Sequence, residues 1–596
     1  MPVVAVSVKK MNELLGKKYD MNTLVYSLEQ LGCDVEDTAE MGLFKCPACQ
    51  TPNDRLIHEE PPKRCDYCGY ESEEPFEQFE TSEVIRIDLL ADRPDLFDTG
   101  GLSRALKGYL GIEKGLAEFK VYESRIEVEV DPVLSEKETY RPYISCAVVT
   151  VPPLDQNGLR EIMRLQENLH WGIGRDRKLA SIGVYDMEVI NPPIQYAVVD
   201  PVRFEFCPLG MPGKKMTPKQ ILEEHPKGKT YAHLMEPYKK YPILMDAKDL
   251  VLAMPPIINS DETKCKVGTS RIFIDVTGIN KEAVVNSLNT LVSALIELKG
   301  RVEFVNMNYQ TGTENTPDLS PQKITLDYRE AQRWLGIEFT SKEFMEHLRK
   351  MRLNVEKKEN EYEVSYPVYR TDIRHQVDVF EDLAIGYGYD RIQTKTIPTL
   401  TIGEARREEL LSNMVRDIMI GHGFTEIMSL HLQSVERHFS KFEIKPEGKH
   451  VRVENPKTKD QEIMRTHLMT GIMETFYKNR RKSVPQKIFE VGNVVVINKK
   501  METGVNEYKH LAFGIIGPET GYAEARMYLD SLLREMGLKG KYKPDSHPSF
   551  CEGRYALVEC GGDVWAKVGE IHPQVLNNFG LVYPVSYCEL CFVKVI

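Results

Sequence analysis

The pattern of apolar and polar positions in residues 1–112 predicts a small α/β domain. "VVAVSV" predicts a strand, "MNTLVYSLEQLG" an amphipathic helix, and "SEVIRIDLL" a later strand. "ADRPDLFDTGGLSRALKGYLG" then predicts a turn rich in Asp, Pro and Gly that leads into a helix, with Asp98 or Thr99 as its cap residue. A cysteine-rich insertion, residues 44–72, interrupts this domain between the first helix and the later strand.

Residues 113–305 have a different pattern, which predicts a β-rich domain. The predicted strands are "YISCAVVTV", "VRFEFCPLG", "DLVLAMPPIINS" and "SRIFIDVTG", and Pro and Gly residues separate them. "KEAVVNSLNTLVSALIELKG" has the spacing of a helix, and "RVEFVNMNY" predicts one more strand.

The remaining chain predicts two further domains. Residues 306–398 form a helix-rich module, with helices at "YREAQRWLGI", "SKEFMEHLRKMRL" and "VDVFEDLAIGYGY" and a strand at "YEVSYPVYR". Residues 399–596 begin with a helix at "EARREELLSNMVRDIMIGHGF" and continue with a helix at "THLMTGIMETFYKNRR" and several long strands. The last domain is therefore predicted to be α+β around an antiparallel sheet, and the whole chain a multidomain α+β protein.

Composition and charge exclude several classes of protein. With 596 residues, 42% of them hydrophobic and 28% charged, the chain has the composition of a globular multidomain protein. It has neither a basic leader nor an apolar run near the roughly 18 residues of a membrane span, so we expect a cytoplasmic protein without membrane contact. The net charge of -12 argues against general adhesion to nucleic acid. Local basic patches are possible at "HPKGKTYAHLMEPYKKY" and "YKNRRKSVPQK", each with a solvated helix or loop face as the alternative.

Four of the twelve cysteines form two Cys-x-x-Cys pairs with fifteen residues between them. They are Cys46, Cys49, Cys65 and Cys68. This spacing is typical of a four-cysteine zinc site, and a closed shell of four thiolates leaves no position for a catalytic water. The alternative, a pair of disulfides, is disfavoured in a reducing compartment. The sequence therefore predicts a structural zinc ribbon. The separate Cys588-x-x-Cys591 is interpreted as buried strand residues.

An acidic cluster lies within "YRTDIRHQVDVFEDLAIGYGYDR". Its four members are Asp372, Asp378, Glu381 and Asp382. Asp378, Glu381 and Asp382 have i, i+3 and i+4 spacing, which places like charges on one helical face. Such a face favours a bound Mg²⁺, which is typically held by one or two carboxylates and water. The alternative is neutralisation by Arg370, Arg374 and solvent.

A second candidate site lies in the strand "SRIFIDVTG". Because strand side chains alternate between faces, Asp275 and Thr277 present polar groups side by side. With Asn259 from "PPIINSDET", they form a candidate small-molecule site, while an ordinary strand with one face in solvent is the alternative.

Several of these motifs occur together, and in the same order, in one known family. The chain resembles the β subunit of phenylalanyl-tRNA synthetase of the archaeal and eukaryotic cytosolic type. The segments that carry the resemblance are "DLLADRPDLFDTGGLSRALKGYLG", "SIGVYDMEVI", "LVLAMPPIINSDET", "FIDVTGIN", "YRTDIRHQVDVFEDLAIGYGYDRI", "HPSFCEGRYA" and "VGEIHPQVLNNFG".

The resemblance implies an α2β2 enzyme that joins phenylalanine to tRNA(Phe) with ATP, the α subunit making the aminoacyl-adenylate. It further implies that residues 113–305 are an editing domain. The family's magnesium pattern matches this sequence at the four acidic positions, and the module that carries them is winged-helix-like.

The sequence also departs from the family and from active synthetase cores. The final domain resembles a class II synthetase core, but "KIFEVGNV" has Ile488 where an active core has the arginine of its Phe-Arg-x-Glu motif, and only Glu490 is kept. The C-terminal strand lacks the third, arginine-ending motif. Without these cations we expect no adenylate formation on this chain. The zinc ribbon is an addition to the family pattern.

The predicted function is that of a non-adenylating β subunit that hydrolyses tRNA charged with tyrosine in error. A pocket for phenylalanine cannot strongly reject an analogue that adds one hydroxyl, so a second site must recognise that hydroxyl. Asp275, Thr277 and Asn259 are the candidates for this recognition. The alternatives are a non-enzymatic assembly and tRNA-docking subunit with an inactive editing site, and a free-standing deacylase.

Overall fold

The fold is described from a computed structural model, which covers residues 3–88, 92–135, 141–236, 238–358, 361–396, 399, 401–561 and 563–591. The chain divides into two compact units, Met1–Lys395 and Thr396–Ile596. The predicted combination of sheets and helices in several domains is thereby confirmed at the coarse level. Within the described ranges, no helix has the length and apolar character needed to cross a membrane.

The first unit contains eighteen strands and ten α-helices within its described residues. The strands are β1 (Val3–Ser7), β2 (Asp34–Lys45), β3 (Pro52–Leu56), β4 (Glu77–Asp88), β5 (Val121–Tyr122), β6 (Glu127–Val130), β7 (Tyr143–Thr150), β8 (Ala180–Asp186), β9 (Ile194–Val199), β10 (Tyr241–Met245), β11 (Val251–Met254), β12 (Ile258–Asn259), β13 (Arg271–Gly278), β14 (Arg301–Tyr309), β15 (Gly312–Thr316), β16 (Gln322–Leu326), β17 (Asn354–Lys358) and β18 (Glu361–Tyr366). The helices are α1 (Val8–Leu15), α2 (Met21–Gln30), α3 (Thr99–Tyr109), α4 (Gln156–Trp171), α5 (Pro218–Glu224), α6 (Pro226–Tyr231), α7 (Lys281–Glu297), α8 (Tyr328–Leu335), α9 (Ser341–Lys350) and α10 (Gln376–Tyr387).

Three sheets organise this unit. The N-terminal sheet has the order β1-β4-β2-β3, and the long strands β2 and β4 pair antiparallel along their length. The large sheet has the order β12-β11-β10-β9-β6-β14-β7-β13-β8, with β15 and β5 also paired to β14. The third sheet has the order β16-β18-β17. The cysteine-rich segment therefore contributes β3 to the N-terminal sheet and connects the end of β2 to the start of β4.

The largest apolar cluster of the first unit, among the described residues, joins its N-terminal, central and helix-rich segments. It includes Val4 near the start of the chain, Ile274 in the large sheet and Ile385 at the end of α10. Helix α7 packs on β7 and β13 and also contacts α3. Most of its apolar residues are buried, and Leu291 is fully so. The three predicted segments of this unit thus share one core, and their boundaries at residues 112 and 305 stay predictions.

Some predicted elements differ from the observed ones. "VRFEFCPLG" forms no strand. Phe206 and Pro208 make only isolated bridges, to Met216 and Ser260, because proline cannot donate to a ladder. The sequence reasoning missed α4 in the segment predicted to be β-rich, although Leu159, Ile162 and Leu165 recur there at helical spacing and are buried. Parts of two predicted strands, residues 89–90 and 592–596, lie outside the described residues.

The second unit is a sheet with helices packed against it. Its strands are β19 (Thr425–Glu426), β20 (Leu432–Gln433), β21 (Ile463–Met464), β22 (Gln486–Ile497), β23 (Val505–Ile516), β24 (Lys541–Pro544), β25 (Phe550–Cys560), β26 (Asp563–Ile571) and β27 (Val585–Cys591). Its helices are α11 (Arg407–Gly421), α12 (Val435–His438), α13 (Met469–Lys478), α14 (Tyr522–Glu535) and α15 (Pro573–Phe579). The main sheet has the order β19-β22-β23-β27-β26-β25-β24 and is antiparallel except at the short edge strand β19.

Strand alternation gives this sheet two buried faces. Phe489 and Phe513 belong to the apolar cluster that packs on α11 and α14, whereas Ile488 and Ala512 belong to the cluster that contains α13 and α15. Glu490 lies one strand period from Ile488 and is therefore on the α13 face. Apolar side chains of the α13 face, such as Ile488 and Ala512, are therefore buried as well.

The buried Glu490 is neutralised from within this unit. Arg465 Nη1 lies 2.6 Å from Glu490 Oε1, and both side chains are at most 3% exposed. The Ser429 hydroxyl donates to the other carboxylate oxygen at 2.6 Å. These contacts hold β22 to the segments that precede α13.

We predict that Arg465→Met opens β22 locally, because Glu490 then stays buried without its cation. Breaking a buried ion pair by removing one partner costs about 3–5 kcal/mol. Hydrogen exchange of the full chain, read on peptides that cover β22, should show correspondingly faster exchange. The control is Arg416→Met, whose 2.8 Å pair with Glu426 is partly exposed and is worth at most about 1 kcal/mol. Equal exchange in β22 of the two variants would contradict the prediction.

Candidate functional site

The four ribbon cysteines converge on one point. Cys46 and Cys49 lie in the turn between β2 and β3, and Cys65 and Cys68 lie in the loop that follows β3. In each pair the residue after the second cysteine has positive φ, 65° at Gln50 and 77° at Gly69. Its backbone N–H donates to the carbonyl of the first cysteine at 3.0 Å. Each Cys-x-x-Cys pair thus forms a tight turn, called a knuckle below: residues 46–50 form the first and residues 65–69 the second. The thiols of the two knuckles point toward each other.

The thiol geometry fits a tetrahedral metal ion. The Sγ atoms of Cys46 and Cys68 are 3.8 Å apart, and those of Cys49 and Cys65 are 3.7 Å apart. A tetrahedral ion with metal–sulfur distances of about 2.3 Å requires sulfur separations of about 3.8 Å. Disulfides would require about 2.05 Å. Among the residues that the structure describes, this is the one group of three or more potential ligands whose donor atoms all lie within 4.8 Å of one another.

The predicted polar strand residues Asp275 and Thr277 share one face of β13, and both are buried, at 1% and 0% exposure. The alternative of a solvent-facing strand is therefore excluded. The Tyr185 hydroxyl on β8 donates to Asp275 Oδ1 at 2.5 Å. Gly183 lies opposite Asp275 in the ladder, and a Cβ there would meet the Tyr185 hydroxyl and Asp275 Oδ1 at 1.8 and 2.2 Å. Only glycine leaves room for this hydrogen bond.

Thr277 has different partners from Asp275. Its hydroxyl lies 3.1 Å from the Ser181 hydroxyl on β8, and Arg141 donates to its carbonyl at 2.6 Å. Ser181 also accepts from Arg141 at 3.2 Å. The structure therefore places Thr277 beside the site, with Ser181 between it and the cavity described next.

Asp275 and Asn259, both predicted from the sequence, line the same small cavity of about 50 Å³. Charged and polar side chains from other elements line it as well: Glu167, His170, Arg177 and Lys227. Lys227 belongs to the first predicted basic patch but lies against Glu167, at 3.9 Å. The sequence therefore predicted two of the residues that line a polar cavity, and the fold supplies the others.

The cavity holds groups with strongly shifted pKa values. Burial raises the pKa of Asp275 to about 7, against the opposing effects of the Tyr185 hydrogen bond and the Arg141 charge. Burial and the nearby Arg177 lower the pKa of His170 to about 4. Although burial opposes it, the Arg177 guanidinium, 2.7 Å from Glu167, lowers the pKa of that carboxyl. At neutral pH, Glu167 is therefore charged, His170 is neutral, and Asp275 titrates.

The tautomer of His170 follows from its hydrogen bonds. Its Nε2 accepts the backbone N–H of Ile182 at 2.8 Å, so the proton of the neutral ring is on Nδ1. Nδ1 lies 3.7 Å from the Glu167 carboxylate. His170 therefore has no free lone pair with which to act as a general base.

The acidic cluster does not form one charged helical face as the sequence predicted. Arg370 makes a bidentate contact with Asp372 and also donates to Asp382 at 2.8 Å. Asp382 is buried, whereas Glu381 is exposed. Asp378 accepts the N–H groups of residues 374 and 375 at 2.7 Å and thereby caps α10. Neutralisation by Arg370, the alternative considered above, thus accounts for two of the four carboxylates.

The four acidic residues nevertheless border one cavity of about 700 Å³, which Arg370 also lines. Asp378 and Glu381 are the members that the guanidinium does not hold. A pair of carboxylates spaced i, i+3 suits a Mg²⁺ ion that keeps most of its water. Asp372 and Asp382 accept hydrogen bonds from Arg370 and are therefore not available as ligands of the same ion.

In the second unit, the domain predicted to resemble a synthetase core, basic side chains on the α13 face form ion pairs with buried carboxylates of the same unit. Besides the Arg465–Glu490 pair, Glu589 accepts from Lys567 at 3.0 Å and from the Tyr587 hydroxyl at 2.7 Å. His510 lies 2.7 Å from the same carboxylate, and hydrogen bonds to Glu589 and Cys591 raise the pKa of His510 to about 9 despite burial. Ile488 packs in the apolar cluster, as expected of a position that lacks the motif arginine.

Sequence reasoning missed several residues of the Asp275 cavity. The missed residues are Tyr67, Glu167, His170, Arg177, Gly183, Tyr185 and Lys227. Tyr185 and Gly183 lie within "SIGVYDMEVI", which was noted only as part of a resemblance. Strand alternation predicts that Gly183 and Tyr185 lie on the same face of their strand. Their contact with Asp275, however, depends on the register between β8 and β13, which are far apart in the sequence.

Comparison with known proteins places the chain in one family. Residues 324–389 match the family model "tRNA synthetase B5 domain", and residues 393–592 match "Phenylalanyl tRNA synthetase beta chain CLM domain". The beta subunit of phenylalanine–tRNA ligase from Methanosarcina barkeri is 39% identical over 510 residues, which cover 85% of this chain and 91% of that protein. The corresponding subunit from Methanosphaera stadtmanae is 34% identical over 562 residues, covering 93% and 98%.

A solved structure gives the same result for the first part of the chain. The crystal structure of an N-terminal fragment of the phenylalanyl-tRNA synthetase beta subunit from Pyrococcus horikoshii superimposes with a TM-score of 0.55 at 31% identity. The match covers 65% of this chain and 99% of that fragment. The chain therefore belongs to the family of phenylalanine–tRNA ligase beta subunits, as its motifs predict.

Proposed function

We propose that this chain assembles in the cytoplasm with an α subunit as an α2β2 phenylalanine–tRNA ligase, and that its Asp275 cavity hydrolyses tRNA(Phe) charged with tyrosine. The observation that supports editing best is the buried Asp275–Tyr185 hydrogen bond in a cavity that Asn259 also lines. Residues 113–305 are then the editing domain, residues 306–398 the metal-site module, and residues 399–596 the class II-like core without catalytic motifs.

Asp275 suits recognition of a phenolic hydroxyl. A carboxylate accepts hydrogen bonds at both oxygens, and Tyr185 occupies Oδ1, which leaves Oδ2 for a ligand. A tyrosyl hydroxyl could donate to it, whereas a phenylalanyl ring would desolvate the carboxylate without a partner. An unmet hydrogen bond of this kind costs about 1–3 kcal/mol and so protects the correct product.

The cavity offers neither a free histidine nor a cysteine as a nucleophile. Nε2 of His170 accepts a hydrogen bond from the backbone N–H of Ile182, and among the described residues no cysteine lines the cavity. Hydrolysis then relies on a positioned water and on the terminal ribose hydroxyl of the tRNA itself. Arg177 and Lys227 also line the cavity, but Glu167 is an ion-pair partner of both.

The space must widen to admit the substrate. At about 50 Å³ it is smaller than the roughly 150 Å³ cavity that accepts benzene in a protein interior. Ordered water fits as it stands, but a tyrosyl ring requires the wall to move outward. The elements that form the wall therefore influence which aminoacyl groups enter.

Adenylation is assigned to the α subunit, which uses ATP. In this chain Arg465 and Lys567 are engaged with Glu490 and Glu589. Binding triphosphate there would first have to break a buried ion pair. This arrangement supports a scaffold role for the second unit.

We predict that Asp275→Asn lowers the rate of Tyr-tRNA(Phe) deacylation by about 10- to 100-fold, because a neutral amide no longer offers the strong charged acceptor. Charging with phenylalanine by the assembled enzyme should stay within about twofold. The exposed Asp200→Asn is the matched control and should change neither activity. Equal loss of both activities would indicate misfolding, and unchanged deacylation would return the chain to the docking-subunit alternative.

The raised pKa of Asp275 gives this recognition a pH dependence. The carboxyl is mostly protonated below about pH 7 and ionised above it, so only above that pH does it accept at both oxygens. The affinity for an adenosine that carries tyrosine through an amide bond should therefore rise as pH increases through 7. Asp275→Asn should abolish this rise. Tyr185 and Arg141 face Asp275 and keep their protons across this range, so a rise that persists in the variant would assign it to another group.

The ribbon metal is proposed to be zinc. Four thiolates at tetrahedral spacing are the ligand set of structural zinc sites, and the ion would hold the two knuckles together. We predict one zinc ion per chain by elemental analysis of protein prepared without oxygen. Cys46→Ser should lose it, whereas Cys551→Ser, a half-buried cysteine outside the ribbon, should keep it. Full zinc content in Cys46→Ser would show that another ligand set binds the metal.

A magnesium ion is proposed at Asp378 and Glu381, with waters in its remaining positions. Asp372 and Asp382 then belong to the site through Arg370, which fixes their positions and balances the charge. We predict that Asp378→Asn combined with Glu381→Gln weakens binding of Mg²⁺, or of Mn²⁺ as a paramagnetic probe, by at least about tenfold. The control is Glu361→Gln, an exposed carboxylate on β18. Unchanged affinity in the double variant would leave neutralisation by Arg370 as the whole explanation of the cluster.

A further inference from the structure

The four-cysteine ribbon forms part of the wall of the Asp275 cavity. Tyr67 lies between the two ligands Cys65 and Cys68, in the second knuckle, and lines the cavity together with Asp275 and Asn259. The ribbon is thus an insertion in the sequence but a neighbour of the candidate site in the fold.

Two glycines bring the second knuckle and the wall of the cavity into close contact. A Cβ added to Gly210 would lie 3.0 Å from the Cβ and 3.1 Å from the Sγ of Cys68. A Cβ added to Gly69 would lie 2.8 Å from the Cβ of Pro226, the residue before Lys227 of the cavity. Both glycines have positive φ, so the sequence permits these approaches only with glycine. A shift of the second knuckle would therefore displace the wall.

Leu209 connects the metal site to a predicted recognition residue. Its side chain packs against the apolar cluster that the four cysteines form, and it also lines the cavity. Its backbone N–H donates to the carbonyl of Asn259 at 2.9 Å. The position of Asn259 is thus tied through one residue to the packing around the metal ligands.

A buried ion pair fixes the other side of the ribbon. Asp54 on β3 accepts from Arg164 on α4 at 3.0 Å, and both side chains are largely buried. Helix α4 also carries Glu167 and His170, which line the cavity. The ribbon therefore contacts the cavity wall from two directions.

We propose that the ribbon is a working part of the editing site: Tyr67 contacts the aminoacyl ring of the bound substrate, and the metal holds Tyr67 in the wall. The proposal rests on the proposed editing function of the Asp275 cavity. Its chemistry is apolar and aromatic contact with a tyrosyl ring, in the same cavity as the carboxylate that takes the hydroxyl. Because four thiolates without a metal do not hold a knuckle of this size, loss of the ion releases this wall.

The first test replaces the ring without touching a metal ligand. Tyr67→Ala should weaken binding of the adenosine that carries tyrosine through an amide bond by about tenfold, the size expected when a pocket loses an apolar contact. Tyr67→Phe should retain most of the affinity because the ring remains. The matched control is Tyr70→Ala, an exposed tyrosine of the same ribbon that does not line the cavity. Metal content should be the same in all three variants, which excludes collapse of the ribbon.

The second test concerns the coupling to the metal. Releasing the ion with a thiol reagent and a chelator should weaken binding of the same amide compound in the wild-type chain by a factor similar to that of Tyr67→Ala. In Tyr67→Ala itself, release of the metal should have little additional effect, since residues that act through one contact are not additive. Full additivity of the two changes would overturn the assignment of Tyr67 as the contact that the metal holds.

Deacylation of Tyr-tRNA(Phe) separates failure of this proposal from failure of the editing function. If Asp275→Asn reduces deacylation while Tyr67→Ala behaves like Tyr70→Ala, the ribbon is only a structural element. If Asp275→Asn has no effect, the proposed function fails whatever Tyr67 does. Reduced deacylation in Tyr67→Ala, with phenylalanine charging and metal content unchanged, supports the proposal.

Discussion

A carboxylate that is removed from water must keep hydrogen-bond partners, and this constraint organises both units of the chain. Asp382 and Glu490 meet it with guanidinium groups, at 2.8 and 2.6 Å, so their charges are cancelled where they lie. Asp275 has the neutral hydroxyl of Tyr185 as its close partner, and burial therefore raises its pKa to about 7. Asp382 and Glu490, which are paired with a guanidinium, therefore stabilise the fold. Asp275, which is paired with a hydroxyl, can still respond to a ligand.

The same constraint explains why the candidate site depends on strand register. Asp275 is paired with Gly183 across β13 and β8, and Tyr185 reaches it diagonally from two residues further along. A shift of β8 by one residue would turn Tyr185 to the other face and leave the carboxylate buried without its donor. Helix α7 packs on β7 and β13, against the face of the sheet opposite Asp275, and helps to hold that register. Packing in the core thus sets the chemistry of the cavity.

Sequence reasoning succeeded where the determining interactions are local. The ribbon follows from the spacing of its cysteines, and the long helices and strands follow from periodicity over ten or more residues. The common face of Asp275 and Thr277 follows from strand alternation. It failed where burial or pairing depends on distant segments. Spacing of i, i+3 and i+4 places Glu381 and Asp382 close together, but only the fold shows that Asp382 is buried against Arg370 while Glu381 is exposed. Likewise, nothing near Tyr67 in the sequence indicates that it lines a cavity with Asn259.

The charge balance of the second unit bears on how an enzyme with two kinds of subunit divides its chemistry. A site that stabilises phosphate charge needs cations that are preorganised and unpaired, because pairing them with buried carboxylates removes the field that a ligand would feel. In the second unit Arg465, Lys567 and His510 are already paired with Glu490 and Glu589. Ile488, at the position where the family of active cores has a motif arginine, packs in an apolar cluster instead. These buried pairs, together with Ile488, support the proposal that the second unit is a scaffold and that a partner subunit carries out the activating step.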